Sequence, residues 1–252
     1  MTAAVPIRGN RDADPLYSCL AYACALIAFA GFTPTYWAPL ATRSFAGPPM
    51  LHLHALLFSA WMVFFIVQTS LVASGRIERH RALGLLGVSL ATAMLFVGLA
   101  AALHSVRLGI ALGLDAQNRA FSIVPISIVV FFAGTVAVAI ANVGRPDVHK
   151  RLMLVATVSL LPPAIARLIA LGAGIPVAPG HPPPLVFSLL PSFVSDLPLI
   201  AAMIWDRRRN GRFHRTYLVA VACLVALQII RVPLGATKAW YEITAWLLAF
   251  GG

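Results

Sequence analysis

Titratable and amide side chains inside apolar stretches are the residues of this sequence most able to do chemistry. One such stretch begins with His52 and His54, carries Trp61 near its middle and ends at Gln68. An ionisable side chain at the centre of a membrane helix costs at least about 2.5 kcal/mol, so such residues face a bundle interior or a wet cavity. Each of these side chains therefore marks a candidate site for a ligand or a cofactor.

The spacing within this stretch predicts which side chains share a helix face. His54, Trp61 and Gln68 are seven residues apart, which is nearly two helical turns, so they form one stripe. His52 points about 200° away from His54 and lies on another face. Two interpretations stay open: the stripe lines a ligand pocket, or Trp61 and Gln68 bond to neighbouring helices as packing groups.

The remaining candidates fall into two groups by their expected depth in the membrane. The outer group consists of His52, His54, His104, Arg167 and Arg231, with Gln228 and Asp196 expected deeper in the membrane. The inner group consists of His80, His149, Gln68 and His214. One aspartate cannot neutralise two arginines, so the outer group favours a small anionic or quinone-like ligand. The alternative is that both arginines extend to the lipid phosphates.

The composition identifies the class of protein that must position these residues. The 252-residue chain is 60% hydrophobic and 11% charged, whereas about a quarter of a soluble domain is charged. We therefore expect one all-α integral membrane domain, with a cytoplasmic tail at 1–16, a helix bundle at 17–233 and an interfacial tail at 234–252. The net charge of +11 is typical of cytoplasmic loops in such a protein and does not require nucleic acid as a partner.

Apolar windows of about twenty residues predict a bundle of seven transmembrane helices. The predicted spans are 17–38, 51–73, 82–104, 121–142, 152–173, 185–205 and 216–233. Pro162 and Pro163 predict a bend in the fifth span. Basic residues concentrate in alternate loops, which predicts a cytoplasmic N-terminus, an external C-terminus and a short interfacial helix at the end. We therefore expect the lipid bilayer to be a partner of this chain.

Three motifs at helix starts carry a resemblance. They are HLH at 52–54, HRALG at 80–84 and VHKRLM at 148–153. Over roughly residues 50–235, the chain resembles a group of uncharacterised bacterial inner-membrane proteins with HxH, HRxxG and HKRxM motifs, from which no activity carries over. It is more distantly similar to transmembrane b-type cytochromes, which hold two haems between paired histidines on alternate helices of a four-helix core.

The cytochrome resemblance implies a cofactor and its ligands. His80 and His149 open the third and fifth spans at the same side and would be the axial ligands of a haem b iron. A second haem would use His54, but the fourth span has no histidine, so His104 would have to substitute. Arginines would pair with the haem propionates.

Three functions follow from these residues. The first is haem-based electron transfer. The second is non-redox transport or ligand binding through Arg167, Arg231 and Asp196, and the third is an accessory role in which polar residues only lock helices together. The sequence lacks a lysine in the seventh span for a retinal Schiff base, and it lacks the G-x-S-x-G and H-E-x-x-H motifs of hydrolases.

Overall fold

The described part of the chain, residues 15–250 of a computed structural model, is built from helices, with 83% of residues helical and no strand in that range. Long apolar segments take this form because, in lipid, every backbone N–H and C=O must be satisfied within the segment. The expected cytoplasmic tail falls almost wholly on residues 1–14, which lie outside the described range, as do residues 251–252.

We number nine helices within the described range. They are α1 (Pro15–Ala41), α2 (Pro49–Ala73), α3 (Ile77–Ala111), α4 (Asp115–Ala141), α5 (Pro146–Ser159), α6 (Pro162–Gly172), α7 (Leu185–Asn210), α8 (Arg215–Gly235) and α9 (Lys238–Phe250). Six of these helices are long and apolar enough to cross a membrane, and α5 with α6 makes a seventh if the bent pair counts as one span. The prediction of a multispan helical protein is confirmed.

The helices extend past the predicted spans because an apolar window marks only the lipid-buried part of a helix. Helix α3 runs from Ile77 to Ala111, whereas the apolar window predicts 82–104. The predicted bend in the fifth span is present: α5 and α6 meet at an angle of 41°, and proline occupies the first turn of α6. A proline there lacks the N–H that would continue the hydrogen-bond ladder.

Helices α1 to α5 pack in chain order, each against the next. Helix α1 also contacts the bent pair, mainly through α6. Helix α8 covers α4 and α5, and α7 packs against α6. The core at the centre of this arrangement includes Trp61, Phe132 and Leu154. The bent pair thus brings α6 between α1 and α7, away from the line of α5.

Consecutive helices joined by short loops alternate in direction, so the bundle has two ends. We call the end with loops 74–76, 142–145 and 211–214 the basic end, since arginines concentrate there. At the opposite end, α9 packs along α4: the Trp240 indole N–H donates to the carbonyl of Arg119 at 2.9 Å. The Tyr241 hydroxyl donates to Asp115 at 2.9 Å. The expected short C-terminal helix is therefore present.

Candidate functional site

The first candidate site lies at the basic end, where two histidines from different helix starts meet. His80 belongs to the first turns of α3 and His149 to the first turn of α5. Their ring centroids are 6.3 Å apart, and the ring planes are inclined by 80°. These two histidines, far apart in sequence, are thus direct neighbours in the folded bundle.

The orientation of His149 is fixed by the end of α4. Its Nδ1 lies 2.9 Å from the backbone carbonyl of Ala139. A carbonyl can only accept, so Nδ1 carries a proton, and in the neutral form of the ring Nε2 has the free lone pair. Metal-binding histidines usually have this arrangement, in which the second ring nitrogen donates to a carbonyl or carboxylate.

Around His80, several buried polar atoms have no partner. The Nδ1 atom of His80 and the nitrogen and oxygen of the Gln68 amide are buried without a hydrogen bond. The backbone of Gln68 lies close enough to the His80 ring to interact with it. Buried polar atoms are nearly always satisfied by protein, water or a ligand. Gln68 therefore belongs to the basic end and not with His54, from which it lies about 21 Å along α2.

The centroid distance of the His80–His149 pair is compatible with both imidazoles binding one metal ion. Among residues 15–250, no group of three or more histidine, cysteine, aspartate or glutamate side chains could hold a metal ion, and a structural zinc site needs four ligands. Haem supplies four equatorial nitrogens and needs only axial ones from the protein. Imidazole nitrogens bind such metals at about 2 Å, so two axial donors are about 4 Å apart, which ring centroids at 6.3 Å accommodate.

Positive charge lies beside this pair. A surface hollow of about 510 Å³ is lined by residues 75–79, immediately before His80. Arg76 and Arg79 line it together with Glu78, so the lining carries two positive charges and one negative charge. Guanidinium groups bind carboxylates with two parallel hydrogen bonds, so this hollow is suited to acidic substituents of a group held at His80.

One buried ion pair at the basic end was not predicted from the sequence. Arg151 donates from Nε and Nη2 to both carboxylate oxygens of Asp206, at 2.7 and 2.8 Å. The two side chains are 3% and 8% exposed. The position of Arg151 within the first two turns of α5, where a buried face begins, is the sequence feature that could have indicated this ion pair.

His214, expected in the inner group, has a different role from the histidine pair. It precedes α8, and its Nδ1 accepts a hydrogen bond from the backbone N–H of Thr216 at 3.2 Å. Burial, and next the nearby charge of Arg151, lower the pKa of His214. A neutral ring is the form that can accept from a helix N-terminus, so His214 acts as an N-cap.

In the middle of the bundle, Trp61 is buried and packs against neighbouring helices. It is 1% exposed, and its indole N–H donates to the Thr157 hydroxyl at 3.2 Å. Phe132 meets it edge to face at 4.8 Å between centroids. Large aromatic side chains fill the interior at this depth and separate the two ends of the bundle.

At the opposite end, Arg167 and His54 form the second candidate site. Arg167 donates from Nε to the Thr35 hydroxyl at 3.0 Å and from Nη1 to the Pro163 carbonyl at 2.8 Å. It is the charged neighbour of His54, whose Nδ1 is buried without a partner. The site is therefore assembled by α1, α2 and α6.

His52 lies apart from His54, as the helix geometry predicts. Its Nδ1 is 3.0 Å from the hydroxyl of Tyr36, and its ring meets Phe45 edge to face at 5.0 Å. His104 is near the far end of α3, about 36 Å from His80 at 1.5 Å per residue. His104 therefore cannot share a ligand with the basic-end pair.

Arg231 forms a third cluster, between α7 and α8. It is 2% exposed, and its Nη2 donates to the Ser192 hydroxyl at 2.6 Å. Gln228 donates to Asp196 at 3.4 Å, while the second carboxylate oxygen of Asp196 and Nε of Arg231 are buried without a hydrogen bond. Arg167 and Arg231, which were expected in one outer group, thus contact different neighbours in the folded bundle.

No family model, curated protein or solved structure matches this chain. The assignment of a function therefore depends on the geometry of these clusters.

Proposed function

We propose that this protein is a haem-binding electron-transfer protein of a bacterial inner membrane, with His80 and His149 as the axial ligands of a haem b iron. The observation that carries the proposal is the convergence of these two rings, 6.3 Å apart, with Nδ1 of His149 held by a backbone carbonyl. The positive-inside rule supports a cytoplasmic location for the basic end.

The chain's own residues have separate parts in this proposal. Ala139 orients His149 so that Nε2 is free to bind. Arg76 and Arg79 supply positive charge for the haem propionates, and Gln68 offers one donor and one acceptor that the protein leaves unpaired. Bound haem would supply reversible one-electron reduction of its iron, with a potential tuned by its axial ligands and their burial.

The absorption spectrum of detergent-purified protein from haem-replete cells tests this proposal. We expect a Soret band in the wild type that is lost in His80→Ala and in His149→Ala. His104→Ala is the matched control, since it removes a histidine at the opposite end of the same helix, and it should keep the band. A colourless wild-type protein from such cells would contradict the proposal.

A second candidate is ligand binding or transport without redox chemistry, and the cluster around Arg231 favours it. Asp196 Oδ2, Gln228 Oε1 and Arg231 Nε are all buried without a partner, which is unusual for polar atoms that only lock helices together. This candidate predicts a colourless protein whose transport is lost in Asp196→Asn. The accessory alternative predicts that the same change lowers stability alone.

A further inference from the structure

Arg167 is a cation in the apolar part of the bundle that no carboxylate neutralises. Its Nε and Nη1 hydrogen bonds both go to uncharged groups, the Thr35 hydroxyl and the Pro163 carbonyl. Among residues 15–250, no salt bridge includes Arg167. A partly buried guanidinium without a carboxylate partner favours an oxygen acceptor beside it.

His54 supplies a second unsatisfied polar group at the same place. Its Nδ1 is buried and has no hydrogen-bond partner, although Arg167 is close enough to interact with the ring electrostatically. A guanidinium and a ring nitrogen without a hydrogen-bond partner therefore lie in the same region of the bundle. An added acceptor would satisfy both groups at once.

The walls of this site are aromatic. The Arg167 guanidinium lies over the Phe32 ring at 4.4 Å from the centroid, and the His54 ring lies 4.1 Å from Phe58, tilted by 30°. Flat apolar rings beside a donor group suit a flat conjugated molecule, because aromatic faces stack in offset or tilted arrangements.

The backbone is shaped to bring these groups together. Helix α1 contains one π-helical segment, Thr33–Trp37, which directs Thr35 to Arg167 and Tyr36 to His52. π-helical segments are rare and occur frequently at functional sites. Gly31 allows α1 to approach α6 closely: a Cβ added there would lie 2.5 Å from the carbonyl oxygen of Ala164.

We infer that Arg167 and His54 form a binding site for the acceptor oxygen of a flat conjugated molecule, such as a quinone carbonyl or an aromatic carboxylate. Arg167 donates to that oxygen and balances the charge of a carboxylate, while Nδ1 of His54 provides a second hydrogen bond. Phe32 and Phe58 flank the conjugated ring. This site is separate from the proposed haem pair and does not depend on it.

Calorimetric titration of the detergent-purified full chain tests the inference with two probes, ubiquinone-1 and benzoate. We expect the wild type to bind at least one probe, and Arg167→Gln and His54→Phe to raise its Kd at least tenfold. Binding of ubiquinone-1 alone identifies a membrane quinone as the ligand class, whereas binding of benzoate alone identifies a water-soluble carboxylate.

Arg107→Gln is the matched control, because Arg107 lies exposed at the same end and donates only to the carbonyl of Leu248. It should leave the Kd unchanged. If Arg167→Gln does not purify as a monodisperse protein, Arg167→Lys and His54→Phe carry the test. The inference is overturned if neither probe binds the wild type, or if the variants at Arg167 and His54 bind as the wild type does.

Discussion

Arg151 on α5 and Asp206 on α7 form a two-pronged ion pair inside the basic end, with N–O distances of 2.7 and 2.8 Å. Arg151 is two residues after His149, so the pair fixes the start of α5 and with it the position of the histidine. The nearby ring of Tyr217 lies 5.7 Å below the guanidinium. The ion pair therefore belongs to the framework that positions the proposed haem ligands.

Removal of one partner of this pair should destabilise the protein strongly. Asp206→Ala leaves the buried Arg151 charge with only the exposed carboxylate of Asp147 beside it, and breaking a buried pair costs about 3–5 kcal/mol. The double variant Arg151→Met with Asp206→Leu should be less destabilised, because no unpaired charge remains. Unfolding in mixed detergent measures both free energies.

Asp147→Asn is the control for this prediction. Asp147 also contacts Arg151, at 3.2 Å, but its side chain is 69% exposed, so the change should cost less than about 1 kcal/mol. An equal loss of stability in Asp147→Asn and Asp206→Ala would show that the buried pair has no special role.

The hydrogen bond between Trp61 and Thr157 gives a second prediction. Thr157→Val removes the acceptor of the buried indole N–H and should cost about 1–3 kcal/mol. Thr92→Val is the control, since the Thr92 hydroxyl is exposed and bonds only to its own helix, at the Val88 carbonyl. A stability loss in Thr92→Val as large as that in Thr157→Val would contradict the assigned bond.

Close packing of α1 on α6 gives a third prediction. Gly31→Ala would place Cβ against the backbone of Ala164, and backbone cannot move aside as a side chain can, so we expect a loss of about 1–3 kcal/mol. Gly134→Ala, with nothing within 4 Å of the added Cβ, should be neutral or stabilising by up to about 1 kcal/mol. Thermal unfolding of the two variants provides the comparison, and a Gly31→Ala protein as stable as Gly134→Ala would refute the close contact.

Much of the fold was predictable because the bilayer imposes strict rules on the sequence. Apolar windows identify the spans, and Pro162 at the start of α6 produces the expected bend. His80 and His149 could be placed at one side because both open helices that follow basic loops. Their convergence to 6.3 Å depends on packing that no local pattern specifies.

Which side chains of the candidate sites contact one another depends on the rotation of each helix about its axis. Depth alone suggested one pocket for Arg167 and Arg231, but rotation directs Arg167 towards His54 and Arg231 towards Ser192. The pairing of Arg151 with Asp206 joins residues that are distant in sequence. A π-helical turn at 33–37 also has no signal in apolar periodicity.

The haem content of the purified protein shows whether His80 and His149 hold a haem. The pyridine haemochrome assay gives haem per protein chain for the wild type and for the variants His80→Ala, His149→Ala and His104→Ala. We expect one haem b per chain in the wild type and in His104→Ala, and almost none in His80→Ala and His149→Ala. A wild-type protein without haem, or a His149→Ala protein with the full haem content, would contradict the account.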